Sequence, residues 1–550
     1  MRLSGADLLV KVLEEEGVSV VFGYPGAAVL HIFESLSRSG VRPIVTAHEQ
    51  GAVHAADGYA RTTGRVGVAL ATSGPGATNL ITGIATAYMD SIPLVALTGN
   101  VHTELIGKDS FQEVYIAGMA MPITKHTIAV RRVEELEDAL REAFRIARSG
   151  RPGPVLVDIP RDVTMQTAEY TPTAVLGAEP PALDPRRLEA MAGLIAASRR
   201  PVLYYGGGVL RSGAAWALKS LVERAGIPAC HTMMGIGVLP TDHPLNLGMV
   251  GMHGKLSASK AIEACDLLLG VGVRFSDRAA TNRRIFAPNA RRVQIDIDAS
   301  EISKNVAVED SLIADAGAAL RKLAELVRPG DRGEWLAEIE RMQREWDLPP
   351  EGEAGRIHPA AFMRELARAA GPETVIATDV GQHQLWTAQY YPFEKPNTFL
   401  SSGGLGTMGF GMGAAIGAAI AQPGRRVALV TGDGSFHMNL NELATAVSYR
   451  LPIVVCVLDN RGLGMVRQWE TLYFGREVDA APVRQTDYVA LARAFGARGY
   501  AAAGPAELPA VLAAAFGGEG PCVVRVPILP EERVLPVIPP GGTVEDCIRD

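Results

Sequence analysis

Two positions constrain this chain more than any other pair: Asp433, set in Gly432-Asp433-Gly434, and Asn460, 27 residues further on. The apolar run Val427 to Thr431 reads as a strand feeding the glycines. A helical stretch is expected from Asn439 to about Arg450, where Leu440, Leu443, Ala444 and Val447 recur at helical spacing. A second apolar run, Ile453 to Leu458, ends at Asp459-Asn460. Strand, crossover helix and strand make a βαβ unit, whose two strands lie parallel with both carboxyl ends at one sheet edge. Asp433 and Asn460 then meet in space with a helix amino terminus between them. A carboxylate beside an amide carbonyl oxygen suits Mg²⁺, and Gly434-Ser435 at a helix start suits phosphate oxygens. Such a site can hold a metal diphosphate. The plainer alternative is an ordinary Gly-Asp-Gly turn followed by an Asn that merely ends a strand.

The chain is 550 residues long, enough for three or four domains, each able to bury its own core. Strand-length apolar runs fall into three blocks: 66–72, 93–98 and 154–159; then 201–205, 266–273 and 292–297; then 374–378, 427–431 and 453–458. Their alternation with helical patterns predicts an α/β chain of three doubly wound domains with parallel sheets, over residues 1–165, 185–330 and 357–540. Polar, Pro-rich stretches near 165–184 and 328–357, the second with Pro349-Pro-Glu-Gly-Glu-Ala-Gly, read as linkers. Ligands on such sheets sit at the carboxyl ends of strands, where the glycines cluster. A net charge of −7 gives no reason to expect nucleic acid or an anionic membrane as partner. Five scattered cysteines without a CxxC pair indicate neither a disulfide framework nor a zinc site. The amino terminus lacks a signal peptide's apolar core, and the Gly/Ala-rich stretch 409–421 is too short to span a bilayer. The expectation is a cytoplasmic enzyme in which 409–421 is a tightly packed helix.

Longer motifs carry more. The first block holds Gly23-Tyr-Pro-Gly, His48-Glu-Gln-Gly-Ala, Ala55-Ala-Asp-Gly-Tyr-Ala-Arg, Thr72-Ser-Gly-Pro-Gly-Ala-Thr-Asn, Ser110-Phe-Gln-Glu and Arg151-Pro-Gly-Pro-Val. The middle block adds Gly251-Met-His-Gly and Gly272-Val-Arg-Phe. The third adds Asp379-Val-Gly-Gln-His-Gln, Gly406-Thr-Met-Gly, Gly464-Met-Val-Arg-Gln-Trp and Val537-Ile-Pro-Pro-Gly. With these segments the chain resembles, over nearly its full length, the catalytic large subunit of acetolactate synthase (acetohydroxyacid synthase), a thiamine-diphosphate (ThDP) dependent family. The resemblance implies a pyrimidine-binding domain, a central Rossmann-like FAD domain and a diphosphate domain. It also implies a transferase of branched-chain amino acid biosynthesis. Pyruvate is decarboxylated on ThDP, and the hydroxyethyl unit is ligated to a second 2-oxoacid, pyruvate or 2-oxobutanoate.

The resemblance assigns roles by position. Asp433, Asn460 and the Gly462 carbonyl would hold Mg²⁺ against the diphosphate, with Gln382, His383, Gly434, Ser435 and Met465 also at the cofactor. Glu49 follows a strand-like run (Pro43 to Thr46) and begins a helix, where a carboxylate is favoured in any case. In the family this glutamate hydrogen-bonds N1′ of the ThDP pyrimidine and so promotes ylid formation. Met408 matches the side chain that keeps ThDP bent, and Gln112 falls at a catalytic position. Arg278 would face the carboxylate of the second 2-oxoacid, and Trp469 would shape the acceptor pocket; Trp469 also separates this pattern from the FAD-free catabolic relatives. Gly206, Gly207 and Gly208 after strand 201–205, with Met252, His253, Gly272, Arg274, Asp296 and Arg151, would bind FAD, held for structure because the net reaction is not redox. A homodimer or homotetramer is implied, with Glu49 and the Asp433/Asn460 site meeting across the subunit boundary, and a small regulatory subunit is a further possible partner. The nearest rivals are another ThDP-dependent decarboxylase, oxidase or carboligase, and a non-catalytic FAD-binding or regulatory protein on the same scaffold.

Three departures stand out. Tyr24-Pro25-Gly26-Ala27 replaces Tyr-Pro-Gly-Gly, adding a methyl near the acceptor pocket. Asp459-Asn460 replaces Asn-Asn, placing an extra carboxylate by the metal. Asn100-Val-His-Thr-Glu-Leu replaces the family's Pro and basic pair after Gly99, at the expected channel mouth.

Overall fold

The computed structural model describes residues 1–549 apart from 176, 178, 179, 348–354 and 479–484. Most of Pro349–Gly355, within the expected linker 328–357, thus lies outside the described residues. Three six-stranded sheets, each wholly parallel, follow one another along the chain. The apolar runs form the expected strands within one to three residues: Gly67–Ala71, Leu94–Asn100 and Pro154–Pro160 in the first, Pro201–Tyr205, Leu267–Val271 and Arg291–Asp296 in the second, Val375–Thr378, Val427–Gly432 and Ile453–Asp459 in the third.

Topology separates the middle domain from the outer two. With strands counted in chain order within each domain, the middle sheet runs 3-2-1-4-5-6. That order reverses between its first and fourth strands, Pro201–Tyr205 and Leu267–Val271, which opens a crevice at their carboxyl ends. The outer sheets both run 2-1-3-4-6-5. The first and third domains are therefore two copies of one topology.

Each of those two domains buries a core of its own, around Val12 and Phe144 in the first and around Phe362 and Val524 in the third, but on the other side of their sheets they share one. A single apolar cluster joins Phe22, Val53 and Leu94 of the first to Ile416, Leu429 and Val455 of the third. Its axis is the packing of helix Glu49–Thr63 on helix Phe410–Ala421, the Gly/Ala-rich stretch. Glycines let the two backbones touch. A Cβ on Gly58 would sit 2.6 Å from the Ala414 Cα, and one on Gly413 2.6 Å from the His54 Cβ. Residues other than glycine at these positions would force the helices apart, which close-packed interiors resist.

Two further segments differ from the sequence reading. The helix expected from Asn439 begins instead at Asp433 and stops at Asn439. Asn439 leaves helical backbone (φ −144°) and donates its side-chain amide to the Gly409 carbonyl at 3.0 Å. A short 3₁₀ turn, Leu440–Glu442, then leads into a second helix, Leu443–Ser448. The stretch 328–357, expected as the second linker, contains a helix, Gly333–Trp346. Its buried Trp335 donates the indole N–H to the Pro201 carbonyl at 3.1 Å, and Ile339 and Met342 follow on the same face. That apolar stripe was present in the polar stretch and is the signal that marks a packed helix. Within the first linker, Thr167–Glu169 pairs antiparallel with Arg2–Ser4.

Candidate active site

The strands Val427–Gly432 and Ile453–Asp459 are hydrogen-bonded parallel neighbours, with Gly432 opposite Leu458. Asp433 and Asn460 follow them directly, so both side chains enter one cleft at the sheet edge, with Gly462, Gly434, Ser435, Gln382, His383, Met408 and Met465 also lining it. Asp433 is buried; its Oδ1 accepts the Gly434 N–H at 2.9 Å, while its Oδ2 has no hydrogen-bond partner. Burial pushes its carboxyl up to about 6, partly offset by the Gly434 N–H, and the nearby Asp459 charge adds to the rise. An orphaned, desolvated carboxylate oxygen in a cleft is the donor that a hard cation lacks. The Asn460 amide supplies the second. Its Nδ2 donates to Gln382 Oε1 at 3.0 Å, which leaves the Asn460 Oδ1 for a ligand. Among the described residues no group of three or more His, Cys, Asp and Glu side chains is placed to hold a metal.

His383 is buried with Nε2 unpartnered, and burial lowers its pKa to about 3, so the ring is neutral; Nε2 serves a phosphate oxygen only in the tautomer that carries its N–H there. Glycines keep the cleft open around it: a Cβ on Gly432 would lie 2.9 Å from His383 Nδ1, and one on Gly381, at φ +147°, 2.9 Å from His383 Cε1. Gln382 lines the cleft, and its side-chain amide is engaged with the protein, donating to Gln468 Oε1 (3.1 Å) and the Glu532 carbonyl (2.8 Å) while accepting from Asn460. It orients the Asn460 side chain. Gln468, at the far end of this chain of amides, lies within the motif Gly464–Trp469, though the sequence pattern gave it no role of its own. Asp459, the extra carboxylate, is paired with Arg525 on the adjacent strand at 2.7 Å.

Glu49 lies elsewhere. It opens helix Glu49–Thr63, with the His48 ring accepting the Gln50 N–H as the cap. Its Oε2 accepts from Asn79 Nδ2 at 2.9 Å, and a Cβ on Gly76 would come within 3.2 Å of its Oε1. Gln112, at φ +59°, packs against Gly74 just before that turn. Neither Glu49 nor Gln112 lines the Asp433 cleft or the large cavity described next. Asn79, the last residue of the Thr72–Asn79 motif, emerges as the group that holds the Glu49 carboxylate. Ala27 is exposed, so its methyl has room. Asn100 is buried and donates to Asp158 at 2.6 Å; it is a core contact, not the lining of an opening.

The crevice of the middle sheet opens into a cavity of ≈ 850 Å³, at the upper end of ligand-pocket sizes. Gly207, Gly208, Gly272, Arg274, Asp296 and Arg151 line it, as do Met252, His253, Arg278 and Trp469. Gly206 does not: it backs onto Gly272, whose oxygen a Gly206 Cβ would approach to 2.6 Å. These glycines let the loops after the first and fourth strands of that sheet pack backbone to backbone. Arg151 spends its guanidinium on Glu301 at 2.7 Å and its Nε on Ser91, tying the first domain to the second. Asp296 is buried, which raises its carboxyl to about 6. At the cavity's other end Trp469 stacks on Tyr473 (5.3 Å, 18°) and meets the His253 ring edge-on at 6.4 Å, while Arg278 Nη1 reaches Met252 Sδ at 3.4 Å. Val380, Gly381 and Met465 line both this cavity and the Asp433 cleft, so the two share a wall.

Comparison with known proteins agrees with this division. Residues 3–121 match the N-terminal TPP binding domain of thiamine pyrophosphate enzymes, 188–323 their central domain and 379–526 their C-terminal TPP binding domain. The chain is 44% identical to a probable acetolactate synthase large subunit of Methanocaldococcus jannaschii, over all of this chain and 95% of that protein. It is 42% identical to the acetolactate synthase isozyme 1 large subunit of Escherichia coli K12 (all of this chain, 98% of that one). With the isozyme 2 large subunit of the same organism it shares 41% over the full length of both.

Proposed function

The chain belongs to the acetolactate synthase large subunits, within the thiamine-diphosphate enzymes, and we propose that it joins pyruvate to a second 2-oxoacid at a site completed by two copies of itself. The observation that carries this reading is the shared wall: a cleft fit for a metal diphosphate adjoins a cavity that ends in Arg278 and Trp469. Thiamine diphosphate, when bound, supplies the carbanion chemistry by which pyruvate loses CO₂ and its two-carbon remainder reaches the acceptor. Asp433, Asn460 and the Gly462 carbonyl hold Mg²⁺, an assignment supported by the unpartnered Asp433 oxygen. Gly434, Ser435 and His383 meet the diphosphate oxygens, and Met408 packs over Gly434. Glu49, held by Asn79, exchanges a proton with the pyrimidine nitrogen. Arg278 pairs with the acceptor's carboxylate, and the Trp469 ring walls its alkyl group.

FAD is the proposed occupant of the middle crevice, supported by the 3-2-1-4-5-6 order, the glycine loops at its switch point and Asp296 at the end of the fifth strand. A homodimer is supported by the separation of Glu49 from the Asp433 cleft and by exposed Tyr24, Leu30, Phe111, Tyr115 and Met121 in the first domain. The relatives' designation as large subunits points to a small regulatory partner. Five free cysteines support a reducing, cytoplasmic setting. Purified protein given pyruvate, with and without 2-oxobutanoate, tests the whole. Acetolactate and 2-aceto-2-hydroxybutanoate are expected; acetaldehyde or acetyl phosphate as the main product would overturn the reading in favour of a decarboxylase or an oxidase.

A further inference from the structure

The segment that leads into Glu49 is held by side chains from a different domain. Val45 N–H donates to Tyr449 Oη at 2.9 Å. Ala47 N–H donates to Thr445 Oγ1 at 3.1 Å and to Glu442 Oε2 at 3.2 Å, and His48 N–H donates to Glu442 Oε1 at 2.9 Å. Glu442, Thr445 and Tyr449 are spaced i, i+3 and i+7; Glu442 ends the 3₁₀ turn, Thr445 lies in helix Leu443–Ser448 and Tyr449 caps it, so the three come to one side. That side belongs to the third domain, just beyond the Asp433 helix.

Glu442 is the costly member. It is fully buried, and no Lys, Arg or His lies within ion-pair distance of it among the described residues. Its charge is met only by the two backbone amides and the Thr445 hydroxyl at 2.6 Å. A buried, unpaired carboxylate is disfavoured unless every lone pair it exposes is used. Here both oxygens accept, each from a different amide, which a carboxylate can do and an amide side chain cannot. Gly51, in the first turn of the Glu49 helix, has no room for a Cβ because the Glu442 carboxylate fills that space. Glu442 therefore touches the chain on both sides of Glu49 without touching Glu49 itself.

We propose that Glu442, seconded by Thr445, is a positioning residue for Glu49: it fixes the Ala47 and His48 amides and so sets where the helix starts and where the Glu49 carboxylate points. The inference rests on the reading of Glu49 as the proton-exchanging group. Glu442→Gln keeps the shape but turns one acceptor into a donor that faces a backbone N–H, so the 45–48 segment must shift.

Three measurements test it. In cofactor-free protein, amide hydrogen exchange at Ala47 and His48 should speed up at least tenfold in Glu442→Gln. With Mg²⁺ and ThDP added, affinity should change less than about threefold, while deuterium exchange at the C2 position of bound ThDP should slow at least tenfold. The double variant Glu49→Gln/Glu442→Gln should be no slower than Glu49→Gln alone, because the second residue acts through the first. A merely structural Glu442 would lower thermal stability and leave C2 exchange per bound cofactor at the wild-type rate, which overturns the proposal. If Glu442→Gln does not fold, Thr445→Val decides by the same readouts, with a slowing of about threefold or more expected. Wild-type C2 exchange in Glu49→Gln would instead overturn the reading of Glu49 on which this rests.

Discussion

Gly464→Ala should damage cofactor binding without a change at any ligand. Gly464 opens helix Gly464–Phe474 beside the Asp433 cleft. A Cβ built there would lie nearer than 3.0 Å to both Gln382 Oε1 and Asn460 Nδ2, the two atoms of the 3.0 Å hydrogen bond that orients the Asn460 amide. Both are side-chain ends, so room is made by breaking that bond rather than by moving backbone. Each buried partner left unsatisfied costs about 1–3 kcal/mol. The gain of alanine over glycine in a helix returns at most about 1 kcal/mol, for a net loss of about 1–5 kcal/mol. The Asn460 Oδ1 loses its fixed aim, and loss of such an orienting contact typically lowers metal affinity by about 10–100-fold. Calorimetric titration of ThDP in excess Mg²⁺ measures this, with Gly517→Ala, where a Cβ meets nothing within 4 Å, as the control. Wild-type affinity in Gly464→Ala would show that the Gln382–Asn460 pair does not set the metal site.

Asp433→Ala should abolish Mg²⁺-dependent retention of ThDP, and mixing it with Glu49→Gln under subunit exchange should restore part of the activity; inactive heterodimers would mean that each site is completed within one chain. Trp469→Leu should keep acetolactate formation but reduce the preference for 2-oxobutanoate over pyruvate about tenfold or more, since a methylene in an apolar pocket is worth roughly 1–3 kcal/mol; an unchanged product ratio in competition would remove Trp469 from the acceptor site. Asp158 is buried with its carboxyl raised to about 6 from an ordinary 3.8, mainly by burial and against hydrogen bonds from Thr98 and Asn100. The native state thus binds its proton more tightly than the unfolded chain, so this contribution to stability is complete below about pH 4 and is lost as pH rises through 6, by up to about 3 kcal/mol. Relative to Asp158→Asn, the wild-type thermal midpoint should therefore fall across that window and then level; a constant difference from pH 4 to 7 would refute it.

The sequence by itself determined everything that follows from local period and backbone constraint. Runs such as Val427–Thr431 and Ile453–Leu458 became neighbouring parallel strands, the commonest outcome for two consecutive strands joined by a helix, and that delivered Asp433 and Asn460 to one cleft. Glu49 stood at a helix start because strand, turn and helix are written in consecutive residues. Tertiary structure decided what joins segments hundreds of residues apart. Glu442 meets His48 across 394 residues, and Gln382 meets Asn460 across 78. The first and third domains share a core because Gly58, Gly413 and Gly417 let two helix backbones touch. Asn439 ended its helix for a long-range bond to the Gly409 carbonyl that no local propensity records. A local pattern states which face of an element is apolar or which atom is a donor; it does not state the partner. The partner is fixed only when sheets and helices pack in three dimensions, because hydrogen bonds and close contacts depend on ångström-scale register between elements that the sequence lists far apart.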